Sequence, residues 1–419
     1  MCENGEGFLV DQGALVNLSA AELARFQRRL LGWYARRRRG LPWRRTRDPY
    51  SIWLSDVMLQ QTRVAAVLPF YRRFIARFPT VHALARARPE QVLRFWAGLG
   101  YYSRARNLHR AAKQIVARHA GRFPREFDAT LRLPGVGAYT AAAVLSMAYG
   151  QPCAVLDGNV ARVLARLGAV RGDLRASRRW RQLQETAQTL LAVRAPGDSN
   201  QAMMELGATV CTPRAPQCHA CPVSRWCQAF RLGLAERLPA PRRKRPPERV
   251  TLAAAVLLDP RGRTLLVKPS GEGAGGPDGA LFSRLWQFPA VRVSGHKQEE
   301  WLPRAEAELG RHLLSLFSHT SASRPRGELQ ALAPARHTVT FREITLAPFL
   351  LHVARLPAIP GARKLLLARL DRLPISSATR KIAAAVQRAA SSPSPAGSRR
   401  RASWLPSRPS RQEPFSRQC

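Results

Sequence analysis

Residues 133–150, L-P-G-V-G-A-Y-T-A-A-A-V-L-S-M-A-Y-G, and the stretch A-V-L-D-G-N-V-A-R-V-L-A-R-L at 154–167 decide how the first half of the chain is read. Gly135 and Gly137 allow a tight backbone turn that passes close to a ligand. A helix begins directly after the turn. The amides around Gly135, Val136 and Gly137 are therefore placed to meet a phosphate oxygen. Taken alone, a G-x-G turn also fits an ordinary interhelical connection. Asp157 follows about twenty residues later, at the expected start of another helix. It reads equally well as an N-cap or as a carboxylate presented to a ligand.

Working outward, residues 19–235 read as helix after helix. Apolar residues recur at three- and four-residue spacing in A-E-L-A-R-F-Q-R-R-L-L-G-W-Y-A-R-R (21–37), across residues 51–78, and in P-E-Q-V-L-R-F-W-A-G-L-G (89–100). Pro and Gly interrupt the pattern at 41–43, 78–80, 98–100 and 133–137. Residues 1–18 form an N-terminal extension. The segment E-R-L-P-A-P-R-R-K-R-P-P-E-R at 236–249 is an expected basic, Pro-rich linker. Beyond it the pattern changes to strands in V-T-L-A-A-A-V-L-L-D (250–259), T-L-L-V-K-P (264–269) and R-E-I-T-L-A-P-F-L-L-H-V-A (342–354), with a helix over 298–316. The prediction is a mainly α chain with a smaller α+β domain at 250–388. Residues 270–281 should form a flexible loop, and the low-complexity basic tail 389–419 should be disordered.

The net charge of +41 favours a polyanionic partner. Arg supplied by a GC-rich genome would leave the same excess, so charge alone names no function. No apolar run is long enough to span a bilayer, and M-C-E-N-G-E-G-F-L-V-D-Q lacks a basic-plus-apolar leader pattern. A soluble cytoplasmic protein with no membrane partner is expected. Four of the seven cysteines are bunched, which suggests a metal site in a reducing compartment more than a disulfide framework.

Those four are Cys211, Cys218, Cys221 and Cys227, separated by six, two and five residues. Four soft thiolates hold either zinc or an iron–sulfur cluster. A structural zinc site more often pairs two C-x-x-C knuckles, and only one such pair is present. One loop donating all four thiolates suits a cubane, though spacing alone leaves both metals open. His219 lies inside an already complete set and reads as a bystander. Arg214 and Arg225 are candidates for phosphate contact or for plain solvent exposure.

The cysteine spacing resembles the cluster loop of the endonuclease III-like glycosylases. The hairpin, helix and Asp157 resemble the wider helix–hairpin–helix DNA glycosylase superfamily. P-W-R-R-T-R-D-P-Y-S-I-W-L-S-D-V-M-L-Q-Q-T-R-V (42–64), G-L-G-Y-Y-S-R-A-R-N-L-H (98–109) and S-N-Q-A-M-M-E-L-G-A-T-V-C (199–211) resemble the adenine DNA glycosylase family. The resemblance implies a [4Fe-4S] cluster and double-stranded DNA bearing 8-oxoguanine:A or G:A mispairs as substrate. It implies a monomer and a Nudix-like second domain that reads the lesion. Asp157 would face the sugar of a flipped adenine nucleotide, with Asn159 in the same site. Arg44, Leu59, Gln201 and Glu205 would line the adenine pocket. Gln61 and Tyr101 would enter the helix stack; Leu59 and Tyr101 also fit plain core packing. Strand-cutting relatives carry Lys where this chain has Tyr139. Tyrosine forms no Schiff base, so base release without lyase activity is expected.

Two departures stand out. The family's general acid is Glu, and this chain has Asp56, shorter by one methylene. Either the pocket has shifted, or a water bridges the gap, or the rate is lower. In the second domain the family's F-S-H becomes Val339, Thr340 and Phe341. Thr340 keeps a hydroxyl for lesion recognition, and weaker discrimination of 8-oxoguanine is expected. No Nudix acidic box follows L-F-S-R-L-W-Q-F-P-A-V (281–291), so that domain should bind rather than cleave. A bifunctional glycosylase and a non-catalytic DNA-binding homologue remain as alternatives. Tyr139 argues against the first. The joint presence of Asp157, Tyr139, Asn159, Arg44 and Glu205 argues against the second.

Overall fold

The computed structural model describes residues 15–240, 246–268, 285–293, 301–318, 328–339 and 341–391. The chain divides into two units, Met1–Lys244 and Arg245–Cys419.

The first unit is helical: α1 (Ala20–Arg37), α2 (Pro49–Leu59), α3 (Val64–Arg77), α4 (Val81–Arg86), α5 (Pro89–Trp96), α6 (Tyr102–Arg118), α7 (Phe127–Leu131), α8 (Ala138–Tyr149), α9 (Gly158–Leu167), α10 (Ser177–Leu190), α11 (Pro196–Thr209) and α12 (Gln228–Arg231). Local chemistry sets the starts. Ser19 and Glu22 form a capping box on α1. Asp48 caps α2, with Pro49 just inside. α2 is buried on nearly every side, from Tyr50 to Met58, so its polar residues are carried inside with it.

The helices pack as two adjoining cores. Trp53, Phe74, Trp96 and Leu108 belong to one; Phe26, Leu30, Val160 and Leu206 belong to the other. α8 serves both, with Ala141 and Val144 in the first and Ala142 and Ala143 in the second. Its run of alanines lets neighbours approach from two sides. The two cores therefore meet across α8, and the hairpin at its N-terminus lies at their junction.

The second unit is built on β1 (Glu248–Leu258), β2 (Arg263–Leu266), β3 (Ala290–Val293), β4 (Gln330–Ala331), β5 (Ala335–Val339), β6 (Arg342–His352) and β7 (Arg363–Leu366), with helices α13 (Trp301–Ser318) and α14 (Ser377–Ser391). The path runs β4-β6-β1-β2-β7; β3 also pairs with β1, and β5 with β6. β1 and β6 are parallel along their whole length, from Glu248↔Arg342 to Leu258↔His352. The other pairs are antiparallel. Ala253, Ala255 and Leu257 face a core with Leu309 and Leu313 of α13. Ala254 and Val256 face a core with Ile382 and Val386 of α14. Covering on both faces explains why β1 is continuously apolar from Leu252 to Leu258 rather than alternating.

Several boundaries fall differently from expectation. Val16 is already packed in the second helical core, ahead of residue 19. Leu238 is buried, and its carbonyl accepts from Arg166 Nε at 2.8 Å. β1 already takes Glu248 and Arg249, so the connection is shorter than 236–249. α14 runs to Ser391, past 388. The expected loop 270–281 and the tail beyond 391 lie outside the described residues.

Candidate active site

Asp56 sits in a late turn of α2 and is 7% exposed. Its Oδ2 is buried with no hydrogen-bond partner. Burial pushes the Asp56 carboxyl up to about 6, against the pull of the Thr140 and Tyr139 hydroxyls, and the negative charge of Asp157 adds to the rise. Thr140 is also buried and accepts from Gln60 Nε2 at 3.4 Å. Burial, reinforced by Asp56 and Asp157, raises the Tyr139 phenol well above its ordinary range. Tyr139 therefore stays protonated and serves as a hydrogen-bond donor.

Asp157 uses its two oxygens differently. Oδ1 caps α9, accepting from the amides of Asn159 at 2.9 Å and Val160 at 2.7 Å. Oδ2 accepts from Asn159 Nδ2 at 3.1 Å and keeps lone-pair capacity for a further partner. Asn159 is held in turn, because Arg162 Nη2 donates to its Oδ1 at 3.0 Å and to the Gly207 carbonyl at 2.7 Å. Arg162 Nε donates to the Cys211 carbonyl at 2.9 Å. A continuous set of hydrogen bonds thus runs from Asp157 to the first cysteine of the loop. Gly207 matters to it because of close approach: a Cβ there would lie 2.9 Å from Asn159 Cβ.

One turn further along α9, Arg166 is buried and extends the contact. Its Nη1 donates to the Thr212 carbonyl at 2.7 Å and lies 3.2 Å from Cys211 Sγ. Cys211, Cys218, Cys221 and Cys227 are free thiols lining one cavity together with Arg166. Among the described residues no three His, Cys, Asp or Glu side chains gather around a single-ion position. Four thiols lining one cavity, with a buried guanidinium to offset negative charge, are a donor set that fits a cysteine-held metal centre. His219 lies edge-on to Phe230 at 5.2 Å. Arg214 and Arg225 are exposed. Cys153 is buried in the second helical core.

Arg44, Gln201 and Glu205 form a second polar group. Glu205 is fully buried, and Arg44 Nη2 lies 2.8 Å from its Oε2. Arg39 adds a backbone amide at 3.1 Å, Nε at 2.8 Å and Nη2 at 2.7 Å. Burial would raise Glu205, but Arg39 and Arg44 overcome it and hold the carboxyl down at about 2. Gln201 Oε1 accepts from Tyr34 Oη at 3.1 Å, and the Arg44 guanidinium lies over the Tyr34 ring. Leu59 packs half-buried against the first core.

Gln61 and Tyr101 both have left-handed backbones, with φ of 57° and 49°. Tyr101 is 41% exposed, which decides against plain core packing for its ring. In the hairpin, Gly135 and Gly137 are exposed while Val136 is buried. Gly135 has φ +78°, and a Cβ there would meet Asn107 Cβ at 2.6 Å. Gly137 starts α8 without a side-chain cap, leaving its first amides for a ligand. Thr340 lies outside the described residues.

Sequence reasoning missed Arg39, Arg104, Arg162 and Arg166. A signal existed for the last two: Arg162 and Arg166 stand four apart in a short helix whose other residues from Val160 on are Val, Leu and Ala. Arg39 ends a run of four arginines, and nothing in that run marks the one that turns inward.

The HhH-GPD superfamily of base excision DNA repair proteins matches residues 54–189. The adenine DNA glycosylase of Rattus norvegicus is 35% identical, over 86% of this chain and 78% of its own length. That of Homo sapiens is 34% identical, over 86% and 74% respectively. The solved structure of a thermostable thymine-DNA glycosylase is 31% identical, covers 51% of this chain and 100% of its own, and has a TM-score of 0.47.

Proposed function

The chain belongs to the adenine DNA glycosylases, and on that premise we propose that it hydrolyses adenine from mispairs with 8-oxoguanine or guanine without cutting the strand. It is a DNA N-glycosylase of base-excision repair, so its target base must leave the duplex stack before reaction. The flipped nucleoside lies between Asp56 and Asp157. A carboxyl raised to about 6 keeps a usable fraction of its proton near neutrality and still gives that proton up readily. Asp56 protonates a ring nitrogen of the departing adenine. As the N-glycosidic bond breaks, positive charge builds on the sugar, and Asp157 opposes it. Asn159 and the two α9 amides keep that carboxylate in place. Water then bonds to the sugar carbon that adenine left, its proton returns to the Asp56 carboxylate, and the product is an abasic site. Tyr139, held protonated and lacking an amine, supplies no lyase chemistry.

Arg44, Leu59, Gln201 and Glu205 form the adenine pocket, with Glu205 acting chiefly to fix Arg44 and Arg39. Cys211, Cys218, Cys221 and Cys227 hold a [4Fe-4S] cluster, which when bound supplies rigidity to the loop rather than chemistry at the sugar. The hairpin amides at 135–137 receive a phosphate, while Gln61 and Tyr101 enter the stack. Thr340 reads the lesion, with discrimination weaker than the family's usual. The protein works as a monomer where the chromosomal DNA is, in the cytoplasm at the nucleoid if the source is bacterial.

The observation that carries this reading is the buried acid of α2 joined electrostatically to the anchored carboxylate of α9. The test is a glycosylase assay on an 8-oxoguanine:A duplex, with and without alkaline work-up and with borohydride. Strand breaks only after alkali, and no covalent adduct, are the expected outcome. Full turnover by Asp157→Asn would sink the site assignment.

A further inference from the structure

Arg104 lies in the first turn of α6 and is 8% exposed. Among the described residues no carboxylate pairs with it. Its guanidinium instead gathers oxygens from the end of α2 and from the loops at 60–62 and 100. Nη1 donates to the carbonyls of Val57 at 3.0 Å, Met58 at 2.8 Å and Gln60. Nη2 donates to Thr62 Oγ1 at 3.1 Å and to the Gly100 carbonyl at 3.3 Å. The Arg104 Cζ also sits 5.1 Å from the centre of the Tyr101 ring.

The sequence explains why such a group is needed. α2 has no glycine stop after Leu59; the Gln60 and Thr62 amides meet the Asp56 and Leu59 carbonyls, and those of Val57 and Met58 are left for the guanidinium. A cation at that end meets both the open acceptors and the negative pole of the helix. The same guanidinium then brackets one left-handed residue, Gln61 at φ 57°, between the Gln60 carbonyl and the Thr62 hydroxyl, and holds the Gly100 carbonyl just before a second, Tyr101 at φ 49°. Such backbone persists in residues other than glycine only where its surroundings over-determine it. Trp96 Nε1 adds a second hold on the Gly100 carbonyl at 3.0 Å.

We propose that Arg104 is a positioning residue that locks loops 60–62 and 100–101 into one rigid, two-pronged wedge before DNA arrives. The proposal rests on the reading that Gln61 and Tyr101 enter the helix stack. Arg104 itself touches no base. It removes the ordering that the two prongs would otherwise undergo on the DNA. Lysine in its place keeps a charge but offers no planar fork to span both loops.

The test uses the full-length protein and a duplex with 2-aminopurine in place of the target adenine opposite 8-oxoguanine. Its fluorescence reports unstacking. Thermal melting and single-turnover adenine release on the matching adenine duplex are measured alongside. Arg104→Lys should melt close to wild type, yet lose most of the unstacking signal and about tenfold or more in rate. Placed in a Gln61→Ala/Tyr101→Ala background, it should lower the rate less than about twofold further, because the prongs it holds are gone. An equal loss in both backgrounds overturns the proposal, as does a normal unstacking signal from Arg104→Lys. If the Gln61→Ala/Tyr101→Ala protein unstacks DNA normally, the wedge reading fails first and takes the clamp with it. If Arg104→Lys does not fold, Thr62→Val removes one acceptor on the loop side. Unstacking must fall with that variant, or the clamp is wrong.

Discussion

Replacing Asp56 with Asn should make the protein more stable at pH 8 and less stable at pH 4, while abolishing most of its activity. Burial moves the carboxyl from 3.8 to about 6. A rise of about 2 units corresponds to about 3 kcal/mol of differential stability between protonation states. The sign follows from which state releases the proton first. Below 3.8 both folded and unfolded chains hold it, and Asp56 costs nothing as an ion. As pH rises the unfolded chain ionises first, and stability falls until the folded carboxyl also ionises, above about 6. Asparagine removes that whole loss but leaves an amide in a buried position where Oδ2 has no partner, at about 1 kcal/mol. The net expectation is a gain of about 2 kcal/mol at pH 8 and a loss of about 1 kcal/mol at pH 4. In melting temperature the alkaline gain is about 4–8 °C for a unit of this size. Thermal melts of both proteins at several pH values measure it. Adenine release in a single turnover should fall by about a hundredfold or more. A stability difference that stays flat between pH 4 and pH 8 would refute the electrostatic reasoning. Retained adenine release would refute the role of the acid.

For the wild type, adenine release should decline about tenfold per pH unit above about 6, read from a single-turnover pH profile, because only protonated Asp56 acts. Gly207→Ala places a Cβ 2.9 Å from Asn159 Cβ, so adenine release should fall about tenfold or more while affinity for undamaged duplex, measured by fluorescence anisotropy, holds. Arg162→Gln strips donors from the Gly207 and Cys211 carbonyls and from Asn159; urea melts should register a loss of about 2–4 kcal/mol, with adenine release falling too. Glu205→Gln leaves Arg44 without its anion and should cost about 3 kcal/mol at pH 7, again by urea melts. Because Glu205 is held at about 2, its contribution is present above its ordinary 4.5 and disappears as pH falls towards 2; the penalty of the Gln variant should shrink over the same range.

Much of the helical half was legible because a 3.6-residue period survives wherever one face is wet, as in α1 and α5. The hairpin was legible for another reason: glycines at 135 and 137 mark backbone that side chains would obstruct. α2 and α9 are different. Both are buried around most of their circumference; α2 has almost no amphipathic period, whereas α9 has a strong one whose charged side reads as a wet face although Arg162 and Arg166 are buried. That is where Arg162 and Arg166 hid, and why Asp56 could be assigned as an acid only through resemblance. Arg104 hid on α6 for a separate reason: its partners are backbone carbonyls, which leave no trace in side-chain pattern. In the second unit β1 and β6 stood out as long apolar runs. β3, β4, β5 and β7 are short, and pairing across the sheet rather than local propensity defines them.

The sharing of α8 between two cores has a kinetic implication. Asp56 is anchored in one half of the helical unit and Asp157 in the other, with the alanine-rich α8 packed between the two cores. Slippage of that helix by a fraction of an ångström changes the gap across which the nucleoside must fit, although neither half has melted. Heat or a distant packing defect should therefore switch the enzyme off well before circular dichroism records any unfolding.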